Sequence, residues 1–453
     1  MDFELAFSDK EITAWGGMGL MKRMLERIGF EAALKACGLP QPRSNRGYRP
    51  AQLMVQFMLS IWCGANRFEH GEVTRHDPVL RRLFGFGRMA NFKAVMRLFR
   101  KFSHGANTQV FGNLYRWWFE QLGLDRLTLD LDSTVMTRYG EQEGAKRGYN
   151  AHKPGRPSHH PLLAFVSDAR MIANCWLRPG DAHTANNAEN FLHNTLDHLG
   201  NKQVALVRAD SGFCGNGFLE TLENKSLHYI VAMRLTQPLQ RTLVNQATWW
   251  TLDDGIELTS VLYQAASWPK ARRVIGIRQH LVEREQAKGK TLSLFAHDPV
   301  QGQYRYAALV TDQRLPDAEV WRGYRGRADC ENRIKELKYD FAADSFCLKD
   351  FWATEACLNT VMMAYNLMSL FRHAARKSLS PKMASKEVQH TLKTLRYKLF
   401  AKAGYLTHEG RKDILKLAVA MHQREWLSGV WDRAKTFALP AHFEPLFVPV
   451  DSS

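Results

Sequence analysis

No C-x-x-C pair occurs in this 453-residue sequence, and its seven cysteines are odd in number. That argues against a disulfide framework or a cysteine zinc site and places the chain in a reducing cytoplasm. Long apolar runs are missing too. The two longest, Ala51–Ala65 and Ala356–Phe371, are too short or are broken by Asn359 and Asn366, so both are expected as buried helices, with no membrane partner. The N-terminus, MDFELAFSDKE, lacks the basic-then-apolar order of a signal peptide. Acidic residues are scarce: 45 Asp and Glu face 62 Lys and Arg, a formal net charge of +17. Such a field attracts polyanions, nucleic acid first among them. From Pro78 to Phe119 there is no acid at all, against Arg81, Arg82, Arg88, Lys93, Arg97, Arg100, Lys101 and Arg116. A solvated helix face usually mixes signs, so this stretch reads as phosphate-facing, with Arg97, Arg100 and Lys101 as DNA contacts.

Hydrophobic residues make up 45% and charged residues 24%, as in ordinary globular proteins. Five segments are expected. Residues 1–120 read as a helical basic DNA-binding region, with apolar residues at helical spacing in Met18–Ile28, Ala51–Cys63 and Phe92–Phe102. Residues 121–234 change texture: strands at Leu127–Leu131, Pro161–Asp168 and Met171–Leu177, a helix capped by Thr184, a strand at Val204–Val207, then a helix and a strand at His228–Val231. That order predicts an α/β fold with a mixed sheet. Residues 235–316 are a β-rich insertion, with strands at Arg273–Val282, Thr291–Ala296 and Tyr304–Val310. Residues 317–373 return to the core as one helix over Ala318–Tyr339 and a following helix. Residues 374–453 read as helical and basic, with Lys393, Arg396, Lys398, Lys402, Arg411, Lys412 and Lys416.

Three acidic positions stand out by placement. Asp132 closes the strand LTLDLDST, and Asp210 closes VALVRAD before a Ser211-Gly212 turn. Carboxylates at strand ends lie where α/β proteins build their sites. The third is on YRGRADCENRIKELK. At about 100° per residue, Tyr324, Arg327, Glu331 and Lys338 fall within roughly a 60° arc, while Asp329 and Glu336 point away. Phosphodiester cleavage by two Mg²⁺ ions needs carboxylates to hold the metals, and flanking cations to hold phosphates. Taken singly, each acid could be a turn former, a cap or a surface ion pair. Asp130 and Asp132 face the same way on their strand, and Ser133-Thr134 after it favours Asp132.

The helix segment resembles the Y-(2)-R-(3)-E-(6)-K signature of DDE transposases from bacterial insertion sequences, which Tyr324, Arg327, Glu331 and Lys338 match without a gap. Asp132-Ser133-Thr134 and Asp210-Ser211-Gly212-Phe213 are similar to the contexts of that family's two aspartates. RGYNAHKPG and LRPGDAHTANNAENF look like the group of these enzymes with a GYN…HPLL hairpin. The resemblance covers roughly Leu127–Arg372; the four-residue signature is specific, and each Asp motif alone is weak. It implies an RNase H-like core interrupted by the insertion. It implies Asp132, Asp210 and Glu331 as catalytic metal ligands for two Mg²⁺ ions, with Mn²⁺ able to substitute, and Tyr324, Arg327 and Lys338 as DNA-binding. It further implies cut-and-paste transposition through a DNA hairpin, on terminal inverted repeats and target double-stranded DNA, by a homodimer in a synaptic complex at the bacterial nucleoid.

Two alternatives remain at this level. LDLDSTV fits the start of haloacid-dehalogenase-type phosphatases, in which both aspartates act on a phosphate ester. The other is a catalytically inactive DNA-binding relative of the transposases. His159-His160 lack further ligands at zinc spacing and read as hairpin-loop residues. A hairpin intermediate would require a base to leave the stack, and Trp249, Trp250 and Trp268 are the indoles the insertion offers to hold it.

Overall fold

The computed structural model describes residues 3–44, 46–151, 153–253, 255–280, 304–379 and 390–445. The chain begins with helices, the longest of them α1 (Met18–Arg27), α2 (Pro50–Trp62), α3 (Phe92–Phe99) and α4 (His104–Glu120), with shorter helices between. α2 starts on a proline at its first turn, where the missing N–H costs nothing, and almost every residue after it is buried. The α3 and α4 starts are capped by Asn91 and Ser103. These helices form no separate body. Phe57 of α2 stacks edge-on to Phe99 and Phe346, and Trp62 Nε1 donates to the Ala364 carbonyl at 3.2 Å, so one apolar core runs from them into the sheet.

The core sheet begins with β1 (Arg126–Ser133), β2 (Leu162–Val166) and β3 (Met171–Trp176), then α5 (Ala188–Leu199), β4 (Gln203–Ala209), α6 (Asn216–Asn224) and β5 (Tyr229–Ala232). β1, β2 and β3 are antiparallel, whereas β4 and β5 run parallel to β1, in the spatial order β3-β2-β1-β4-β5. This is the strand order of an RNase H-like core, as the sequence leads one to expect. The β2–β3 turn is tight because Arg170 takes a positive φ of 53° and Asp168 Oδ2 accepts the Thr128 N–H at 2.7 Å. α5 begins later than expected. Asn187 takes its cap position, and the Thr184 hydroxyl lies 3.1 Å from that of Ser133 instead.

The insertion is not a detached module. Its strands β6 (Trp250–Asp253), β7 (Ile256–Tyr263), β8 (Arg272–His280) and β9 (Tyr304–Thr311) extend the same sheet, and β9 pairs antiparallel with β5 to give nine strands among the described residues. The expected strand Thr291–Ala296 lies outside the described residues. Because Leu309 pairs with Ala232 at the end of β5, the first half of β9 overhangs that end by roughly 15 Å, on the side where β1 and β4 finish.

The single expected helix after the insertion is two: α7 (Asp317–Arg325) and α8 (Ala328–Tyr339), broken at Gly326-Arg327. A long helix, α9 (Phe351–Leu379), then closes the open edge of β3. Its Asn359 and Asn366 amides, which interrupt an apolar run in the sequence, bond to the Cys175 carbonyl and to both backbone groups of Ile172. An edge strand left unpaired would expose those groups, and each bond supplies about 0.5–1.5 kcal/mol. The C-terminal region departs from the helical expectation. Arg411, Lys412 and Lys416 lie on a β-hairpin of β10 (Gly404–Glu409) and β11 (Lys412–Leu417), followed by α10 (Met421–Thr436). No helix among the described residues is long and apolar enough to cross a membrane.

Candidate active site

β1 and β4 are neighbours with Asp130 opposite Arg208 and Leu131 opposite Ala209. Asp132 and Asp210 therefore follow side by side at the same end of two parallel strands, on the sheet face covered by α7 and α8. Asp210 is fixed by its own turn, where its Oδ1 accepts the Gly212 N–H at 2.9 Å. Asp132 accepts the Ser133 N–H at 2.7 Å, and its other oxygen lies 2.9 Å from Arg327 Nη2. Arg327 sits in the break between α7 and α8, reaches the Leu131 carbonyl at 3.3 Å, and approaches Glu331 at 3.8 Å. Glu331, on the first turn of α8, keeps 60% of its side chain exposed, against 10% for Asp132.

The charges of the other two carboxylates reach Asp132. Burial pushes the Asp132 carboxyl up to about 6; Arg327 pulls it down, while the charges of Asp210 and Glu331 raise it further. Burial works against the charge of Arg327, and Asp132, Tyr324, Cys330 and Asp210 outweigh it, so its proton is held more firmly than usual. Tyr324, at the end of α7, lies within the same field. Burial raises its phenol, Arg327 opposes that, and Asp210, Asp132 and Glu331 add to it. Lys338 donates to the Val135 carbonyl at 2.9 Å and so straps the loop after Asp132 to α8; burial lowers its ammonium, and Asp344 and Asp132 oppose.

Among the described residues no group of three His, Cys, Asp or Glu side chains is set closely enough to hold a metal ion. The donors nevertheless suit a hard divalent cation. All are carboxylate oxygens, and their mutual repulsion at Asp132 is what such a cation relieves. Tyr324 thus lies on α7, Arg327 in the break, and Glu331 and Lys338 on α8.

Asp130 is a different kind of residue. It is 1% exposed, and Arg208 grips both its oxygens at 2.6 and 2.8 Å. A phosphatase of the two-aspartate type needs that carboxylate free, so this geometry opposes the phosphatase alternative. Asp329 and Glu336 also point away from the site: Asp329 pairs with Arg170 and Arg333 at 2.9 Å each, and Glu336 is buried against Arg372. Arg97, Arg100 and Lys101 are not brought to the carboxylates. They lie exposed on the outer side of the N-terminal helices, Arg100 3.9 Å from Asp350 and Lys101 donating to the Gln41 carbonyl. Nor is His159 in a loop. It is buried in a small strand, where it accepts from Arg138 Nε at 2.9 Å, and burial with Arg138 lowers it to about 4.

The three insertion indoles differ. Trp268 is buried under Arg272, Trp249 is part-buried under Arg278, and Trp250 is 66% exposed on β6, the outermost strand. Sequence reasoning missed Arg208. Besides Asp130 it donates to the Gly323 carbonyl at 2.6 Å and to Ser167 Oγ at 2.9 Å, bracing the end of α7 from below. Gly326 is needed above it, since a Cβ there would fall 2.6 Å from the Arg208 guanidinium. The signal was available: a buried arginine in VALVRAD requires an acid, and LDLDS holds one more than a metal site uses.

The profile of one protein family, described as transposase DDE domain group 1, matches residues 2–437. No curated protein matches the sequence. Among solved structures, the chain is similar to piggyBac transposase in a cryo-EM synaptic complex with hairpin DNA, at 12% identity and a TM-score of 0.43, covering 86% of this chain and 81% of that one.

Proposed function

The chain belongs to the transposase DDE domain group 1 family, and from that premise we propose that it excises and integrates a mobile DNA element by hydrolysing and rejoining phosphodiester bonds. Asp132, Asp210 and Glu331 would hold two Mg²⁺ ions, or Mn²⁺ in their place. Two such ions supply Lewis acidity to the attacking and leaving oxygens of an in-line displacement. The observation that carries this reading is geometric: Asp210 follows beside Asp132 on the neighbouring parallel strand, and Arg327 lies 2.9 Å from Asp132 and 3.8 Å from Glu331.

The protein's own groups have distinct tasks. Arg327 is a counter-charge that keeps Asp132 beside Asp210 before DNA arrives; its planar fork then suits a non-bridging phosphate oxygen. Glu331, largely exposed on the first turn of α8, closes the site by a side-chain rotation. Tyr324 and Lys338 border the strand being cut, and Lys338 also fixes the backbone after Asp132. Terminal inverted repeats and target duplex lie along the N-terminal cations Arg97, Arg100 and Lys101. A homodimer pairs the two element ends in the bacterial cytoplasm. Excision passes through a DNA hairpin, with Trp250 the indole free to hold an extruded base.

The test is incubation of the purified protein with duplex DNA carrying the element's own ends, with Mg²⁺, with Mn²⁺ or with chelator. Metal-dependent nicks at the element boundary, followed by hairpin ends, support the proposal. Metal-independent cleavage, or none at any end sequence, overturns it.

A further inference from the structure

Between β1 and β2 the chain builds a small three-stranded sheet from Met136–Thr137, Lys146–Arg147 and Pro157–His159. It stands at the carboxylate end of the core, because Lys338 holds Val135 and β2 restarts at Leu162 opposite Ser133. The sheet is rigid. Buried Arg138 donates to His159 at 2.9 Å and to the Asp344 carbonyl at 2.5 Å. Asn150 donates to Thr137 Oγ1 at 3.0 Å and accepts the Lys153 N–H at 2.9 Å. Gly148 passes so close to Gly180 that a Cβ would fall 2.0 Å from its carbonyl oxygen.

On this frame Tyr149, between Gly148 and Asn150, is 76% exposed. Its ring meets no other ring and no cation among the described residues. Arg147 beside it is exposed and has no acidic partner among them. Lys153 and Arg156 lie over the ring of Tyr139, itself exposed, at 4.9 and 5.9 Å. Of the nearby acids, Glu143 is occupied by the Phe351 N–H at 2.8 Å and Asp181 by Lys146 at 3.0 Å.

An exposed ring on a surface that also carries cations suits single strands: bases stack on the ring and phosphates meet the cations. A duplex hides its base faces and offers such a ring nothing. We propose that Tyr149 stacks on an unpaired nucleobase of single-stranded DNA beside the cut, with Arg147 and Lys153 on the adjoining phosphates. This rests on the DNA-processing function above and adds to it a strand-separating contact.

The experiment measures fluorescence anisotropy of the full chain with a single-stranded oligonucleotide and with a duplex of equal length, the single strand carrying 2-aminopurine in a parallel series. Tyr149→Ala should weaken single-strand binding by about 5- to 100-fold, as loss of one base–aromatic stack does, and abolish the 2-aminopurine quench. Tyr149→Trp should keep both, and duplex affinity should not change in either variant. If wild type binds single strands but Tyr149→Ala binds them equally with the same quench, the stacking role is overturned while the transposase reading stands. If wild type binds neither single strand nor duplex, both fall.

Discussion

Arg208 closes a fork on Asp130, with nitrogen–oxygen distances of 2.6 and 2.8 Å, two residues before Asp132 on the same face of the same strand. A buried charge that loses its partner is costly, so Arg208→Met should lower stability by about 3–5 kcal/mol in urea unfolding. Replacing both, as Asp130→Leu with Arg208→Met, should recover most of that loss. Cleavage should stay impaired in the pair, because the Gly323 carbonyl also loses its support. A double variant no more stable than the single one would show that the pair is not what the arginine sustains.

Asp329 is two residues from Glu331 yet serves packing. It ties α8 to the β2–β3 turn through Arg170 and to its own helix through Arg333. Asp329→Ala should lower stability by about 1–2 kcal/mol, within the range for losing such bonds. Its single-turnover cleavage well below the melting temperature should remain within about three-fold of wild type. Loss of cleavage in a folded Asp329→Ala chain would move this residue into the chemistry.

The succession of strands and helices along the core, the end positions of both aspartates and the helical setting of Glu331 were legible in the sequence because each depends on local pattern. Alternation and apolar runs set the strands, and turn residues ended them. What was not legible depends on tertiary partners. One long helix over Ala318–Tyr339 is what spacing alone gives; the two helices meet at Gly326-Arg327, where a Cβ on residue 326 would fall 2.6 Å from the Arg208 guanidinium. That the insertion continues the core sheet was not legible, because no sequence signal says that β9 pairs with β5. Asn359 and Asn366 looked like interruptions of an apolar helix until the open edge of β3 lay beside them. The C-terminal hairpin was missed because its alternation is weak and its charges are spread over both strands.

The basic stretch of the N-terminal helices should set the salt dependence of DNA binding. Arg97 has no acidic partner among the described residues, and Arg100 has only a distant one. The variant Arg97→Glu with Arg100→Glu should weaken duplex binding and reduce the slope of log K against log salt by about two, near 0.9 per lost phosphate contact. An unchanged slope in a salt titration would make this face a solvated one.

Glu355 offers a pH test of the fold. Burial pushes its carboxyl up from 4.5 to about 7, while the Leu177 N–H and the Asn107 amide oppose that. The folded chain thus keeps a proton that the unfolded chain loses between those values. The contribution of Glu355 to stability is therefore greatest below the unfolded pKa and declines as pH rises to about 7, by at most roughly 3 kcal/mol. Glu355→Gln cannot titrate, so its melting temperature relative to wild type should climb from pH 5 to pH 8. A difference that stays constant across that range would place the titration elsewhere.

In the proposed function Asp132, Asp210 and Glu331 act as one metal-holding unit in cutting DNA. The most direct measurement is single-turnover cleavage of an element-end duplex in Mg²⁺ by wild type and by Asp132→Ala, Asp210→Ala and Glu331→Ala, each checked for folding and DNA affinity. Each substitution should cut the rate by at least about 1,000-fold, some 4 kcal/mol of barrier, while leaving DNA affinity within a few-fold. A folded, DNA-binding variant at any of the three positions that cleaves at the wild-type rate would contradict the account.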